Sequence, residues 1–268
     1  MLPLSVFIIC KDEVGRIGHV LEAVKNLSED IVVVDSGSTD GTPELAKKYT
    51  KRVYHRDWTG FGDQKVFAEG LCRHNWILNL DADEVPSKHL REEIIQLITA
   101  DPENALGASG FELRVTMMAS LDESYPRFLA PYNFTGRLYD KRFAGFSSNP
   151  VHDKLTEHAS GKIRFPRLRG HIYHYSIKSY THMWRKIGSY SELQAKDWIS
   201  KGRKPKLWMA FFEAPLFFLK HYFLRRLFAL GVRGFVIALS LTAGRVLRRV
   251  IVADMTKNTV NFNPKNER

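Results

Sequence analysis

The 268-residue chain has 44% hydrophobic residues, 40 Lys and Arg against 29 Asp and Glu, and a formal net charge of +11. That is enough for one substantial core. The two cysteines, Cys10 in an apolar run and Cys72 on an expected helix, exclude a disulfide framework and point to a reducing compartment. The charge is lopsided: residues 1–160 hold 18 basic and 24 acidic side chains (18 − 24 = −6), whereas residues 161–268 hold 22 and 5 (22 − 5 = +17). The basic half must face something anionic: nucleic acid, anionic lipid or a phosphorylated acceptor.

No internal repeat or low-complexity tract is visible. Met1 to Cys10 is apolar but has neither a basic leading segment nor a small-residue cleavage site, so no secretory signal is expected. The longest uncharged stretch of the apolar C-terminal region, Gly234 to Gly244, has 11 residues. That is short of the ~20 a bilayer-spanning helix needs.

In chain order, Leu4 to Cys10 reads as a strand, and Ile17, Val20, Leu21, Val24 and Leu27 recur at helical spacing. Ile31 to Val34 is a second strand. Thr42 as N-cap, Pro43 and Glu44 then open a helix. A short strand over 52–55, a helix over 64–72, the strand Trp76 to Leu80 and a helix over 87–99 complete a β-α-β-α-β-α-β series. This series predicts an α/β fold, a Rossmann-like and mostly parallel central sheet with helices on both faces. Shorter strands are expected at Phe111 to Met117, Arg137 to Phe143 and Leu168 to Tyr175, continuing the sheet as an acceptor-side part. From Ser179 the pattern is helical, and from Lys206 to Arg249 aromatic and basic together. The divisions expected are 1–100, 101–178 and 179–268, the last a set of amphipathic helices.

Two strands deliver carboxylates to one edge. Asp81-Ala82-Asp83-Glu84 follows Trp76 to Leu80, and Asp35-Ser36-Gly37-Ser38-Thr39-Asp40-Gly41 follows Ile31 to Val34. Ligands of open α/β sheets bind outside the carboxyl ends of such strands. Lacking a Lys or Arg beside them in sequence, these carboxylates suit a divalent cation or sugar hydroxyls. Asp81 and Asp83, two apart, can point one toward a ribose and one toward a metal; the bland alternative is a cap for the helix at Ser87. Asp35 can accept a base N–H or a ribose hydroxyl, with Ser36 beside it, or can form an Asx turn. Glu13 can share that pocket or be a solvated first-turn glutamate. Lys65 and Arg137 can meet phosphates or be solvated charges. His174 ends an apolar strand and can complete a metal site, contact a diphosphate or be a satisfied structural histidine. His171, three residues earlier, faces the other side.

Ser5 to Glu13, Val34 to Thr42 and Leu80 to Glu84 together resemble family 2 glycosyltransferases of the GT-A fold. Gly60-Phe61-Gly62-Asp63-Gln64-Lys65, Val151-His152-Asp153-Lys154-Leu155 and His174-Tyr175-Ser176 are similar to bacterial lipopolysaccharide inner-core β-1,4-glucosyltransferases. The resemblance implies a UDP-sugar donor, a divalent cation (Mg²⁺ or Mn²⁺) and inversion in a single displacement. Asp83 and His174 would be toward the metal. Glu13, Asp35, Ser36, Lys65, Asp81 and Arg137 would be toward the donor. One carboxylate on the acceptor side would act as base: Asp153 first, Glu157 second, Asp140 third.

The activity expected is transfer of a hexose, glucose from UDP-glucose, to a heptose of a lipid-linked core oligosaccharide. The C-terminal aromatics and cations suit the anionic cytoplasmic face of the cell membrane, where the protein would lie peripherally, or packing on the body or a second subunit. Another lipid-linked or envelope glycan is the alternative acceptor. A phosphotransferase with an aspartate nucleophile lacks its further acids. A basic nucleic-acid or membrane-binding protein would leave the acidic turns unexplained, so no nucleic-acid partner is expected. No G-x-x-x-x-G-K-[ST] loop occurs, and Gly60-Phe61-Gly62 lacks the third glycine of a dinucleotide fingerprint.

Overall fold

The computed structural model describes residues 2–102, 107–147, 155–157, 165–203 and 206–261. The chain forms two compact units, residues 1–117 with 132–175, and residues 118–131 with 176–268. The recruitment of 118–131 into the second unit has no counterpart in the sequence pattern.

In the first unit, β1 (Leu4–Cys10), β2 (Asp30–Asp35), β3 (Val53–His55), β4 (Trp76–Asp81), β5 (Glu84–Pro86), β6 (Gly110–Met117), β7 (Tyr132–Asp140) and β10 (Arg167–His174) form one sheet. Its order is β3-β2-β1-β4-β7-β6-β10-β5. β3, β2, β1 and β4 run parallel; β7 is antiparallel to both β4 and β6; β6 and β10 are parallel, and β5 is antiparallel to β10. The later strands thus continue the sheet, with reversed strands inserted. β8 (Ala144–Phe146) and β9 (Leu155–Glu157) make a separate hairpin.

Period-two alternation divides the buried strands between two cores. Val6 and Ile8 of β1, Val33 of β2 and Leu78 and Leu80 of β4 join Ile17, Val20, Leu21 and Val24 of α1 (Ile17–Val24). Phe7 and Ile9, Val32 and Val34, and Ile77 face the opposite way, with Ala68 of α3 (Phe61–Leu71). Leu90, Ile94 and Ile98 of α4 (Lys88–Ala100) fill the first core, and the N-cap hydroxyl of Ser87 accepts the Leu90 N–H at 3.2 Å. Across from α4, Gly170 of β10 comes so close that a Cβ there would overlap the Leu90 backbone. Asp30, buried at the start of β2, accepts from Ser5 Oγ (2.5 Å) and the Arg73 N–H (2.8 Å) and pairs with Arg52.

Three local expectations need correction. The cap of α2 (Thr42–Ala46) is Gly41 at φ 88°, a left-handed position suited to glycine, while Thr42 begins the helix and gives its hydroxyl to Asp40. The helix expected over 64–72 starts at Phe61, directly after Gly60. The strand expected over 137–143 starts instead at Tyr132 and stops at Asp140, because that buried carboxylate accepts the Arg142 N–H (2.9 Å) and pairs with its guanidinium (2.6 Å).

The second unit contains α5 (Tyr180–Ser200), capped by Ser179, then α6 (Met209–Leu219), a π turn over Lys220–Leu224, a 3₁₀ turn over Leu227–Leu230, and α7 (Val232–Asn261). Ser191 Oγ of α5 donates to the Gly244 carbonyl of α7 at 3.0 Å, an approach the missing side chain permits. Among the described residues no helix is long and apolar enough to cross a membrane.

Candidate active site

The first unit gathers most of the expected residues at the carboxyl ends of β1, β2 and β4. Two loops form the floor. Asp35 Oδ2 accepts the N–H groups of Gly37 (3.0 Å) and Ser38 (2.9 Å), and Oδ1 takes the Ser38 hydroxyl and the Cys10 thiol, so Asp35 closes an Asx turn. The turn is laced to the end of β1. The Asp12 N–H donates to Ser38 Oγ (2.7 Å), the Thr39 N–H to Asp12 Oδ1 (2.8 Å), and the Glu13 N–H to Thr42 Oγ1 (2.8 Å). Ser36 is buried, its N–H bonded to the Cys10 carbonyl at 2.9 Å.

At the end of β4, Asp81 and Asp83 diverge into two charge clusters. Asp81 Oδ2 accepts from Arg137 Nη2 at 2.6 Å, and its Oδ1 lies 3.4 Å from Lys65 Nζ. The same Nη2 donates to Glu84 Oε1 (2.6 Å), Arg137 Nη1 to Asn79 Oδ1 (2.8 Å), and the Asp81 N–H to Glu84 Oε2 (3.1 Å). Burial opposes the charge on Asp81, but Arg137 and Lys65 outweigh it and hold its carboxyl well below the usual range. Burial, with Asp81 beside it, pushes the Glu84 carboxyl up despite Arg137. Two cations against two carboxylates make this group balanced, and both cations expected toward phosphates contact Asp81.

The second cluster is built on Arg16, which the sequence reading missed. It grips Glu13 with two bonds of 2.7 and 2.6 Å, donates to the Tyr175 carbonyl (2.7 Å) and lies 3.2 Å from Asp83 Oδ2. His174 Nε2, from β10, approaches the same oxygen at 3.5 Å, and the Tyr175 N–H donates to the Asp83 carbonyl at 2.9 Å. Burial disfavours the imidazolium, yet Asp83, with Glu84 and Asp81 beyond, raises the His174 pKa above its ordinary value. His171 turns elsewhere, its Nδ1 2.9 Å from Thr116 Oγ1.

Asp83 and His174 thus place one oxygen and one nitrogen donor side by side, both partly open to solvent. Among the described residues no group of three or more His, Cys, Asp or Glu is placed to hold a metal ion. The pair fits a divalent cation that keeps waters and ligand oxygens for its remaining positions, as Mg²⁺ and Mn²⁺ do at phosphate sites. Asp81, engaged by two cations, is not placed for that role.

On the acceptor side, Asp153 lies outside the described residues. Of Glu157 only the backbone is described, ending β9 opposite Ala144. Asp140 is buried against Arg142. A cavity of about 680 Å³ opens beside Arg137, lined also by Asn133, Thr135, Leu155, Thr156 and Phe165.

Residues 5–142 match the Glycosyl transferase family 2 family. An uncharacterised glycosyltransferase of Rickettsia prowazekii is 35% identical over 268 residues, covering 97% of this chain and 90% of its own. The lipopolysaccharide core biosynthesis glycosyltransferase LpsC of Rhizobium meliloti is 30% identical, covering 92% and 93%. The crystal structure of S. aureus TarS 1–349 superposes with a TM-score of 0.43 at 14% identity, over 97% of this chain and 92% of that one. The chain belongs to glycosyltransferase family 2 and is a glycosyltransferase.

Proposed function

We propose that the protein is an inverting transferase that moves a hexose, glucose from UDP-glucose, to a heptose of the lipopolysaccharide inner core. The observation that carries this is the pairing of Asp83 with His174 next to the balanced Asp81–Arg137–Lys65–Glu84 group, at the strand ends where nucleotide-sugar ligands bind α/β sheets. The relation to LpsC, named for lipopolysaccharide core biosynthesis, supports the acceptor class.

In this reading Glu13, Asp35 and Ser36 border the nucleoside. Asp81, fixed by Arg137 and Lys65 and partly open to solvent, presents its exposed edge to ribose or sugar hydroxyls. Asp83 and His174 would hold a divalent cation, which when bound offsets the charge of the departing diphosphate. The acceptor enters from the cavity walled by Leu155 and Thr156, close in sequence to Asp153. Its hydroxyl oxygen bonds to the anomeric carbon as the bond to the diphosphate oxygen breaks, and its proton passes to Asp153. Such general-base assistance contributes ~10²–10⁴-fold.

Placement at the cytoplasmic membrane face is supported by α6 and the turns after it. There Trp208, Phe211, Phe212, Leu216 and Leu224 are exposed close to Lys206, Lys220, Arg225 and Arg226. The test is transfer by the purified protein from a panel of UDP-, GDP- and ADP-hexoses to heptose-terminated core lipid. UDP-glucose should give a β-linked product. Equal use of an ADP- or GDP-sugar, or transfer only to acceptors without heptose, would overturn the assignment.

A further inference from the structure

Within the second unit, α7 and the chain just after α5 bring four guanidiniums together around Trp198 and Glu213. Over the ring of Trp198, near the end of α5, lie the guanidinium carbons of Arg248 (4.2 Å from the centroid), Arg249 (5.4 Å) and Arg203 (5.6 Å). Arg245, one turn before Arg249 on α7, shares Glu213 with it: their Nε atoms lie 3.3 and 3.1 Å from Glu213 Oε2. Among the described residues, Glu213 is the carboxylate that meets this cluster. The other acceptors are neutral: Gln194 Oε1, 2.7 Å from Arg248 Nη1, and the Lys206 carbonyl, 3.4 Å from Arg249 Nη1. Asp197, beside Trp198 in sequence, is taken by Lys201 at 2.7 Å.

Four cations against one carboxylate leave an excess of three positive charges. Trp198 offsets part of that repulsion, since a cation over an aromatic face gains ~0.5–2 kcal/mol, less than close like charges lose once partly desolvated. The strain is visible at Arg248: its Nε is buried without a partner among the described residues, and burial, then Arg245 and Arg249, lower its pKa. The cluster also opens outward. Arg249 is buried, Arg245 and Arg248 are half-buried, and Arg203 is exposed. Guanidiniums graded from buried to exposed around one ring suit a tetrahedral oxyanion, which several of them can bind at once.

We propose that Arg203, Arg248 and Arg249, over Trp198, together with Arg245, which shares Glu213 with Arg249, form a binding site for a phosphate group carried by a lipid headgroup or a phosphorylated sugar. The site lies within the second unit, uses none of the donor-side residues and does not depend on the assignment of donor or acceptor. The test uses the full-length protein and inorganic phosphate at constant ionic strength, followed by ³¹P line broadening. Parental protein should bind saturably, and Arg248→Gln and Arg203→Gln should each weaken binding about tenfold or more. Lys88→Gln, an exposed charge on α4, should leave it unchanged. Arg203 is on the rim, so its variant keeps the test valid should Arg248→Gln fail to fold.

Vesicles of phosphatidylcholine with and without phosphatidate then identify the source. Phosphatidate-dependent sedimentation that falls in Arg203→Gln assigns the site to a headgroup. Unchanged sedimentation with lost inorganic phosphate binding assigns it to a soluble phosphorylated ligand. Equal phosphate binding by parent and both cluster variants, or an equal loss in Lys88→Gln, would overturn the proposal.

Discussion

His174 Nε2 stands 3.5 Å from Asp83 Oδ2, joining the last residue of β10 to the turn between β4 and β5. If this pair holds a divalent cation, Asp83→Asn should lower kcat/KM by ~10²-fold or more, because the leaving diphosphate would lose its counter-charge. His174→Ala should have a smaller effect. UDP with Mn²⁺ should raise the melting temperature of the parent and not that of Asp83→Asn. Transfer by Asp83→Asn at the parental rate would remove the metal role.

Arg137 is the sole cation bonded to both Asp81 and Glu84 among the described residues, and its burial makes it a stability element as well. Arg137→Met leaves the buried Glu84 and the partly exposed Asp81 without their shared cation, with Lys65 beside Asp81 and His174 beyond, and should lower stability measurably. Arg137→Lys should recover little, since an ammonium cannot reproduce the fork that reaches Asn79 and both carboxylates. Urea unfolding of the three proteins measures the difference.

The base assignment predicts that Asp153→Asn cuts kcat by ~10²-fold or more with little change in donor affinity, and that Glu157→Gln does much less. Steady-state kinetics with saturating donor separates the two. The reverse ranking would move the base to Glu157.

The exposed ring cluster on α6 gives a separate expectation. Phe211 is 82% exposed, and replacing Trp208, Phe211 and Phe212 together with Ser removes three large apolar side chains from that face. The triple variant should sediment less with anionic vesicles while its melting temperature stays near the parental one. Sedimentation equal to the parent would favour packing on another protein surface.

Glu213 predicts a pH dependence of the helical unit. Its carboxyl is held below the ordinary value by hydrogen bonds from Arg249, opposed by burial, with Arg245 adding. A depressed folded-state pKa stabilises above the unfolded carboxylate value near 4.5, and this stabilisation is lost as pH falls through the folded value. Thermal melts should therefore lose stability below about pH 4.5 more steeply in the parent than in Glu213→Gln. Parallel profiles would contradict this.

The alternating apolar strands were legible because burial on both faces demands near-continuous Val, Ile and Leu, and the strand-end carboxylates were legible because Gly, Ser and Asp interrupt such runs abruptly. The partners of those carboxylates were not. Arg137 is 53 residues from Glu84, and Arg16 is 159 from Tyr175, so only the folded sheet brings them together. β5 escaped notice because three residues, Glu84 to Pro86, carry no period, and its place is set by antiparallel pairing with the distant β10. Carboxylates without adjacent cations in sequence suit metal and sugar; in the fold, distant Arg137 and Lys65 come to Asp81, and Arg137 to Glu84.

Gly170 extends these relationships to a residue with no chemistry of its own. Any side chain there would lever β10 away from Leu90, and β10 carries His174 four residues further on. In a saturation survey scored by glycosyl transfer, position 170 would therefore rank with Asp83, although it has no side chain to offer a ligand. Scoring the same variants by steady-state abundance would part the two, because a carboxylate-to-amide change leaves the strand seated and a wedge under it does not.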